Sequence, residues 1–312
     1  MPQTVYVLTT KTINRMKIAY SSSLVSPPQG AVFRAKTENA VITAYKSGKV
    51  LFQGNSPEVE AQQWADQAGN LSTVGKSNHK QQATTKYTPP STLFNSSHIG
   101  SDEAGTGDYF GPITVACVYV GQNQIETLKE LGVKDSKNLT DPTIKKLSKE
   151  IVKMAIPYSL LVLHNKKYNT LQKKGWTQSK MKAMLHHHAI NSLVNKIGNA
   201  PLNGILVDQF CEPAVYIKHI STEKQSLAEK TYFMTKAESY SIAVAAGSII
   251  ARTSFLKEMD KLSEMVGATL PKGASKKVDQ TIAKLINDKG EASLNACAKT
   301  HFANTKKARA YL

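Results

Sequence analysis

Residues 112–120 read Pro-Ile-Thr-Val-Ala-Cys-Val-Tyr-Val, an apolar run with no charged side chain. A strand with one face in water alternates apolar and polar residues, whereas a continuous run suits a strand covered on both faces. The chain around it must supply that cover, which points to an α/β arrangement of helices on both sides of a sheet. The neighbouring sequence fits. His98 to Glu103 reads as the end of a strand, and Tyr158 to Leu163 and Gly204 to Asp208 (GILVD) as two more. Asp141-Pro142 opens a helix through Met154, and Gln178 to Ile197 forms a long helix. Glu238 to Met259 reads as another, with Ile242, Ala246, Ile249 and Thr253 on one face. Two or three shorter helices finish the chain, and no internal repeat is visible.

The composition breaks at Ser72 to Thr92 (STVGKSNHKQQATTKYTPPST), which is nearly free of large apolar residues. Such a stretch cannot bury enough surface to offset the entropy of ordering it. It reads as a linker over 72–93, leaving domains at 1–71 and 94–312. In the first domain, Ala40 to Gln53 alternates around Ser47-Gly48 and predicts a hairpin. Ser56-Pro57 with Glu58 and Glu60 predicts a helix start, and Thr10 to Ser23 a second helix. The domain reads as a small α+β module with a basic, curved sheet bearing Arg15, Lys17, Arg34, Lys36, Lys46 and Lys49.

The 312-residue chain carries a net charge of +17, which favours a polyanionic partner. Its three cysteines, Cys117, Cys211 and Cys297, are far apart, which argues against a disulfide framework or a cysteine zinc site and predicts buried thiols. The N-terminal residues lack a signal-peptide core, and no stretch reaches the roughly 18 apolar residues of a membrane span. A cytoplasmic protein without membrane contact is expected.

Four acids stand out. Asp102 and Glu103 end one apolar strand, Asp208 ends another, and Glu238 lies where Thr-Lys-Ala-Glu-Ser enters an apolar helix. Each alone is commonly a cap or turn residue. Together they imply more, because an ionised group on a strand flanked by Ile205, Leu206 and Val207 needs a partner. Clustered carboxylates repel and raise one another's pKa unless a hard cation neutralises them. Mg²⁺ takes oxygen ligands and keeps several waters, so a few carboxylates plus a substrate phosphate suffice. Two such ions about 4 Å apart can clamp a scissile phosphodiester, one at the attacking water and one at the leaving 3′-oxygen. No protein nucleophile is then needed, and there is no Gly-x-Ser-x-Gly elbow. Gly105-Thr106-Gly107 followed by Gly111 is not dinucleotide spacing, so a nucleotide-cofactor enzyme is excluded. Glycines beside an acid pair instead allow close approach of a nucleic acid strand and contact with a 2′-hydroxyl.

The segments Gly100–Pro112 (GSDEAGTGDYFGP), Asp135–Thr140 (DSKNLT), Val207–Phe210 (VDQF), Thr235–Ser239 (TKAES) and Pro271–Ala274 (PKGA) resemble the ribonuclease HIII family, in order and from about residue 94 to the end. The resemblance implies a ribonuclease H-like catalytic domain: a central mixed sheet flanked by helices, with a helical C-terminal region. It implies that residues 1–71 form a substrate-binding domain resembling the TATA-binding protein fold. It further implies an endonuclease that cuts the RNA strand of RNA/DNA hybrids and leaves 5′-phosphate and 3′-hydroxyl ends. By motif position Asp102, Glu103 and Asp208 are metal-binding acids and Glu238 the fourth catalytic acid, with two Mg²⁺ ions in the substrate complex and Mn²⁺ as a substitute. Glu238 favours this family over its sister, ribonuclease HII, which typically has Asp there. Thr106 stands where the sister commonly has Arg, so weak incision at single embedded ribonucleotides is expected.

Gly105, Thr106, Gly107, Lys137 and Lys272 are the candidate substrate contacts, with solvated lysines as the plain alternative for the last two. Arg252 is expected to pair with an acid, and Ser248 and Thr253 to pack or hydrogen-bond. His186-His187-His188 lies within an apparent helix, where consecutive side chains diverge, so the tract should not ligate one ion. Trp176 and Tyr109 are expected to pack rather than stack on bases. A monomer with no obligate protein partner is expected. The alternative of another class is a basic nucleic-acid-binding protein without catalysis, which would gain nothing from four carboxylates beside a phosphate.

Overall fold

The structure, a computed structural model, describes residues 3–54, 56–64, 86–133 and 139–312. The chain divides into two compact units, Met1–Thr84 and Thr85–Leu312.

The first unit runs β1 (Gln3–Val7), α1 (Thr10–Ala19), β2 (Leu24–Val25), β3 (Ala31–Lys36), β4 (Val41–Tyr45), β5 (Lys49–Gln53) and α2 (Pro57–Gln62). Its strands pair antiparallel in the order β1-β5-β4-β3-β2. Tyr6, Phe33, Ala35, Ile42, Ala44, Val50 and Phe52 alternate onto one face and bury against Ile13 and Met16 of α1 and Ala61 of α2. The hairpin turns at Ser47-Gly48, where Gly48 takes φ +88°. The helix expected to reach Ser23 stops at Ala19, and Ser21–Ser23 makes a 3₁₀ turn instead. Consecutive serines compete for backbone hydrogen bonds and extend a helix poorly.

The second unit runs β6 (His98–Ala104), β7 (Ile113–Val120), α3 (Ile125–Glu130), α4 (Asp141–Lys153), β8 (Tyr158–Leu163), α5 (Asn165–Lys173), α6 (Gln178–Ile197), β9 (Gly204–Asp208), α7 (Pro213–Ser221), β10 (Thr231–Met234), α8 (Ile242–Val266), α9 (Lys276–Lys289), α10 (Leu294–Cys297) and α11 (Asn304–Ala308). The sheet order is β10-β9-β6-β7-β8, with β10, β9 and β6 parallel and β7 and β8 antiparallel to their neighbours. The apolar run of β7 is divided between two cores. Ile113, Val115, Cys117 and Tyr119 face a cluster with Met181, Ile190 and Leu193 of α6, while Ala116, Val118 and Val120 face one with Ile249 of α8 and Ile144 of α4. A third cluster joins Phe255 of α8 to Tyr109, Phe110 and the C-terminal helices.

Of the stretch expected as a linker, residues 72–85 lie outside the described residues. Its end is built into the second unit: Leu93 is buried with Leu206 and Val244, and the Tyr87 carbonyl accepts a hydrogen bond from Phe233 N at 2.9 Å. Cys117 and Cys297 are buried and Cys211 is half-buried; all are free thiols. Among the described residues, no helix is long and apolar enough to cross a membrane.

Candidate active site

β6 and β9 lie side by side and parallel, in register from His98–Gly204 to Ser101–Val207. One residue beyond the last pair stand Asp102 and Asp208. Side chains at equivalent positions of neighbouring strands share a face, about 5 Å apart. Two carboxylates therefore emerge together on the α8 side. Ser248 of α8 hydrogen-bonds Asp102, whose Oδ1 also accepts from Glu103 N at 2.7 Å. Asp208 Oδ1 accepts from Ala237 N at 2.9 Å. That bond ties Asp208 to the 3₁₀ turn Ala237–Ser239, which opens with Lys236 at φ +57° and carries the buried Glu238. Glu238 was expected inside a helix starting at its own position. The helix starts at Ile242 instead, capped by the Ser241 hydroxyl on Val244 N. A serine cap satisfies the free amides of a first turn, and this one sets the boundary four residues later.

α8 can approach β6 closely because two glycines face each other. A Cβ on Gly100 would stand 2.1 Å from Val244 N, and one on Gly247 would stand 3.0 Å from Ala116 O. This contact sets the depth at which Ser248 meets Asp102.

Glu103, the next residue, points to the opposite face. There Lys182 Nζ donates to Oε1 at 2.8 Å and His186 Nε2 to Oε2 at 3.0 Å. The Phe210 ring lies under both, 4.0 Å from the Lys182 ammonium and 5.2 Å from the His186 ring. His187 turns to Gln225 and Asn191, and His188 is exposed, so the three histidines diverge.

The two acids of β6 titrate in opposite directions. Burial raises the Asp102 carboxyl well above its usual range, and the charges of Glu103 and Asp208 add to the rise. Burial would also raise Glu103, but His186 and Lys182 outweigh it and hold the carboxyl at about 2. Among the described residues no three His, Cys, Asp or Glu side chains close into a metal cage. Among the described residues the donors on the α8 side are oxygens, from the Asp102 and Asp208 carboxylates and the Ser248 hydroxyl. That set fits a hard divalent cation retaining several waters and does not fit a four-ligand nitrogen–sulfur site.

The glycine loop follows β6. Gly105 has φ +87°, and a Cβ there would meet Pro112 O at 2.2 Å. Gln178 Nε2 donates to the Thr106 carbonyl at 3.0 Å, while Gly107 is exposed. Asp108 Oδ1 accepts from Gly273 N at 2.6 Å, fastening this loop to the Pro-Lys-Gly-Ala segment. Lys272 of that segment pairs with Asp141, which also holds Arg252 at 3.3 Å. Lys137 lies outside the described residues. Tyr109 is buried core, and Trp176 is half-buried beneath the Lys180 ammonium at 4.3 Å.

Sequence reasoning did not single out Lys182, Phe210 or Ser101, and it set His186 aside. The available signal was Lys182 and His186, spaced i, i+4 on the apolar face of a helix beside a strand bearing a surplus acid.

The ribonuclease HII family model matches residues 99–305, and a domain of unknown function, DUF3378, matches residues 3–80. Ribonuclease HIII of Oceanobacillus iheyensis is 57% identical over 312 residues, the whole of both chains. Ribonuclease HIII of Bacillus subtilis is 51% identical, over 99% of this chain and 97% of the relative. A solved structure, Bst-RNase HIII in complex with Mn²⁺, is 42% identical with a TM-score of 0.69, over 99% of this chain and 98% of that one. The ribonuclease H2 of Pyrococcus horikoshii, 22% identical over 69% of this chain with a TM-score of 0.56, shares the fold. Relatives this similar over their full lengths, together with the match across β6 to α11, show that the chain belongs to the ribonuclease HIII family and is a ribonuclease H endonuclease.

Proposed function

We propose that the enzyme hydrolyses the RNA strand of RNA/DNA hybrids with divalent cations, leaving 5′-phosphate and 3′-hydroxyl ends. The observation that carries this reading is the carboxylate pair Asp102–Asp208 at the ends of two parallel strands, with Asp102 raised by burial and by its acidic neighbours. Asp102, Glu103 and Asp208 hold the cations, Mg²⁺ first and Mn²⁺ as substitute, two in the substrate complex. When bound, they supply Lewis acidity for the attacking water and charge for the leaving 3′-oxygen. Asp102 and Asp208 present oxygens on one face, Ser248 and Ala237 N orient them, and Glu238 completes the acidic set beside Asp208. Gly105, Thr106 and Gly107 receive the RNA backbone, with Thr106 in place of arginine limiting incision at single ribonucleotides. Lys137 and Lys272 contact phosphates, and the first unit adds affinity for the duplex. The enzyme acts as a cytoplasmic monomer without an obligate protein partner.

The test is cleavage of end-labelled hybrid, double-stranded RNA and double-stranded DNA with Mg²⁺ or Mn²⁺, with and without chelator. Asp102→Asn and Asp208→Asn should abolish hybrid cleavage and leave hybrid binding intact. Turnover in either variant refutes its role, and binding without cleavage in the wild type would leave a basic nucleic-acid-binding protein.

A further inference from the structure

Lys182 is 8% exposed, and its ammonium is ion-paired with Glu103 over the face of Phe210. The other oxygen of Glu103 is held by a line of hydrogen bonds with one direction. The Cys117 thiol donates to Ser101 Oγ at 3.0 Å, and the Ser101 hydroxyl lies 2.6 Å from His186 Nδ1. With its oxygen accepting from the thiol, Ser101 donates to Nδ1, which leaves the Nε2 proton for Glu103. Cys117, Ser101, Glu103, Lys182 and His186 lie on β7, β6 and α6, so in the substrate-free enzyme the packing of the sheet holds the carboxylate on the face opposite Asp102.

We propose that Lys182 is an internal counter-ion that competes with divalent cations for Glu103 and weakens metal binding in the substrate-free enzyme. Lys182 acts through Glu103 and is a positioning residue; the inference rests on the metal role proposed above for the acids. The Lys182 ammonium, 2.8 Å from Glu103, repels a divalent cation that shares this carboxylate, and charges withdrawn from water interact more strongly than in solution. Glu103 must also leave or share its ion pair to reach the cation. A scissile phosphodiester brings the negative charge that Lys182 cancels, so cation and substrate reinforce each other's binding.

The experiment titrates the full chain with Mn²⁺ in the absence of nucleic acid, following the loss of the free-ion electron paramagnetic resonance signal. Lys182→Met keeps the apolar stem on Phe210 and removes the charge. Lys182→Gln removes the charge and keeps a donor for Glu103, should the first variant misfold. Both should bind Mn²⁺ at least about tenfold more tightly than wild type, with less further tightening when a non-cleavable all-DNA duplex is added. Lys182→Arg should retain the wild-type affinity. Unchanged or weaker Mn²⁺ binding in the folded neutral variants overturns the inference while leaving the assignment of the acids standing. Wild-type Mn²⁺ binding that Asp102→Asn does not alter overturns both.

Discussion

Gly100 is where stability and catalysis should fail together. A Cβ there would lie 2.1 Å from Val244 N, 2.2 Å from the Ala243 carbonyl carbon and 2.6 Å from Val244 Cα. All three are backbone atoms of one helix, so no side chain can rotate away. Ordinary contact begins near 3.4 Å, so Gly100→Ala requires α8 to move off β6 by 3.4 − 2.1 = 1.3 Å. Overpacking of this kind costs about 1–3 kcal/mol, with the upper end expected where both partners are backbone. For a unit of this size each kcal/mol shifts the melting temperature by about 2–4 °C, so about 3 kcal/mol predicts a loss of 6–12 °C. The same shift carries Ser248 away from Asp102, and a misplacement of about 1 Å at a reacting centre costs on the order of 10²-fold in rate. The assay pairs thermal denaturation with hybrid cleavage below the melting range. Gly107→Ala is the control: an added Cβ meets nothing within 4 Å, and melting should move by no more than about 1–2 °C. A Gly100→Ala enzyme that melts and cleaves like wild type would show that β6 and α8 tolerate a methyl group at this contact.

Deleting residues 1–84 should leave a folded second unit with weaker hybrid affinity by filter binding, whereas deleting residues 1–95 removes Tyr87 and Leu93 and should give a fragment that fails to melt cooperatively. Equal melting of the two fragments would contradict this. Lys299 donates to the Asp108 and Gly111 carbonyls at 2.7 and 2.6 Å, so Lys299→Met should cost about 1–3 kcal/mol in urea denaturation. Burial holds the Lys299 ammonium at about 7 against an ordinary 10.5, so the unfolded chain binds the extra proton between those values. Stability from Lys299 therefore grows as pH rises from 7 towards 10.5, and urea midpoints of wild type and Lys299→Met should diverge over that range; parallel midpoints would refute it. His98 is buried between the Ser96 carbonyl and the Ser241 hydroxyl, and burial lowers its pKa below the ordinary 6.5. The unfolded chain again takes the proton first, so stability is lost as pH falls through 6.5, and His98→Gln should flatten that loss.

Much of the second unit was legible locally. The β7 run, the Asp141 helix with its proline and the GILVD strand carry their signals within a few residues, because side-chain periodicity and capping are short-range effects. The edges were less legible. Glu238 read as helical because its neighbours are apolar at helical spacing, yet the Ser241 cap and the bond from Ala237 N to Asp208 place it in a separate turn. Residues 86–93 read as linker from their composition, yet Tyr87 and Leu93 find partners in β10 and the adjacent core.

Which acids lie at the strand ends is already written in the primary structure, because alternation and motif order place Asp102, Glu103 and Asp208 without reference to any other part of the chain. What each acid meets depends on the folded arrangement of strands and helices. Asp102 joins Asp208 because β6 and β9, about a hundred residues apart in sequence, pair in parallel at one register. Glu103 meets Lys182 and His186 because a single step along a strand reverses the face, and α6 happens to cover that face. Strand pairing and helix docking are long-range contacts, and no local window of sequence contains both partners.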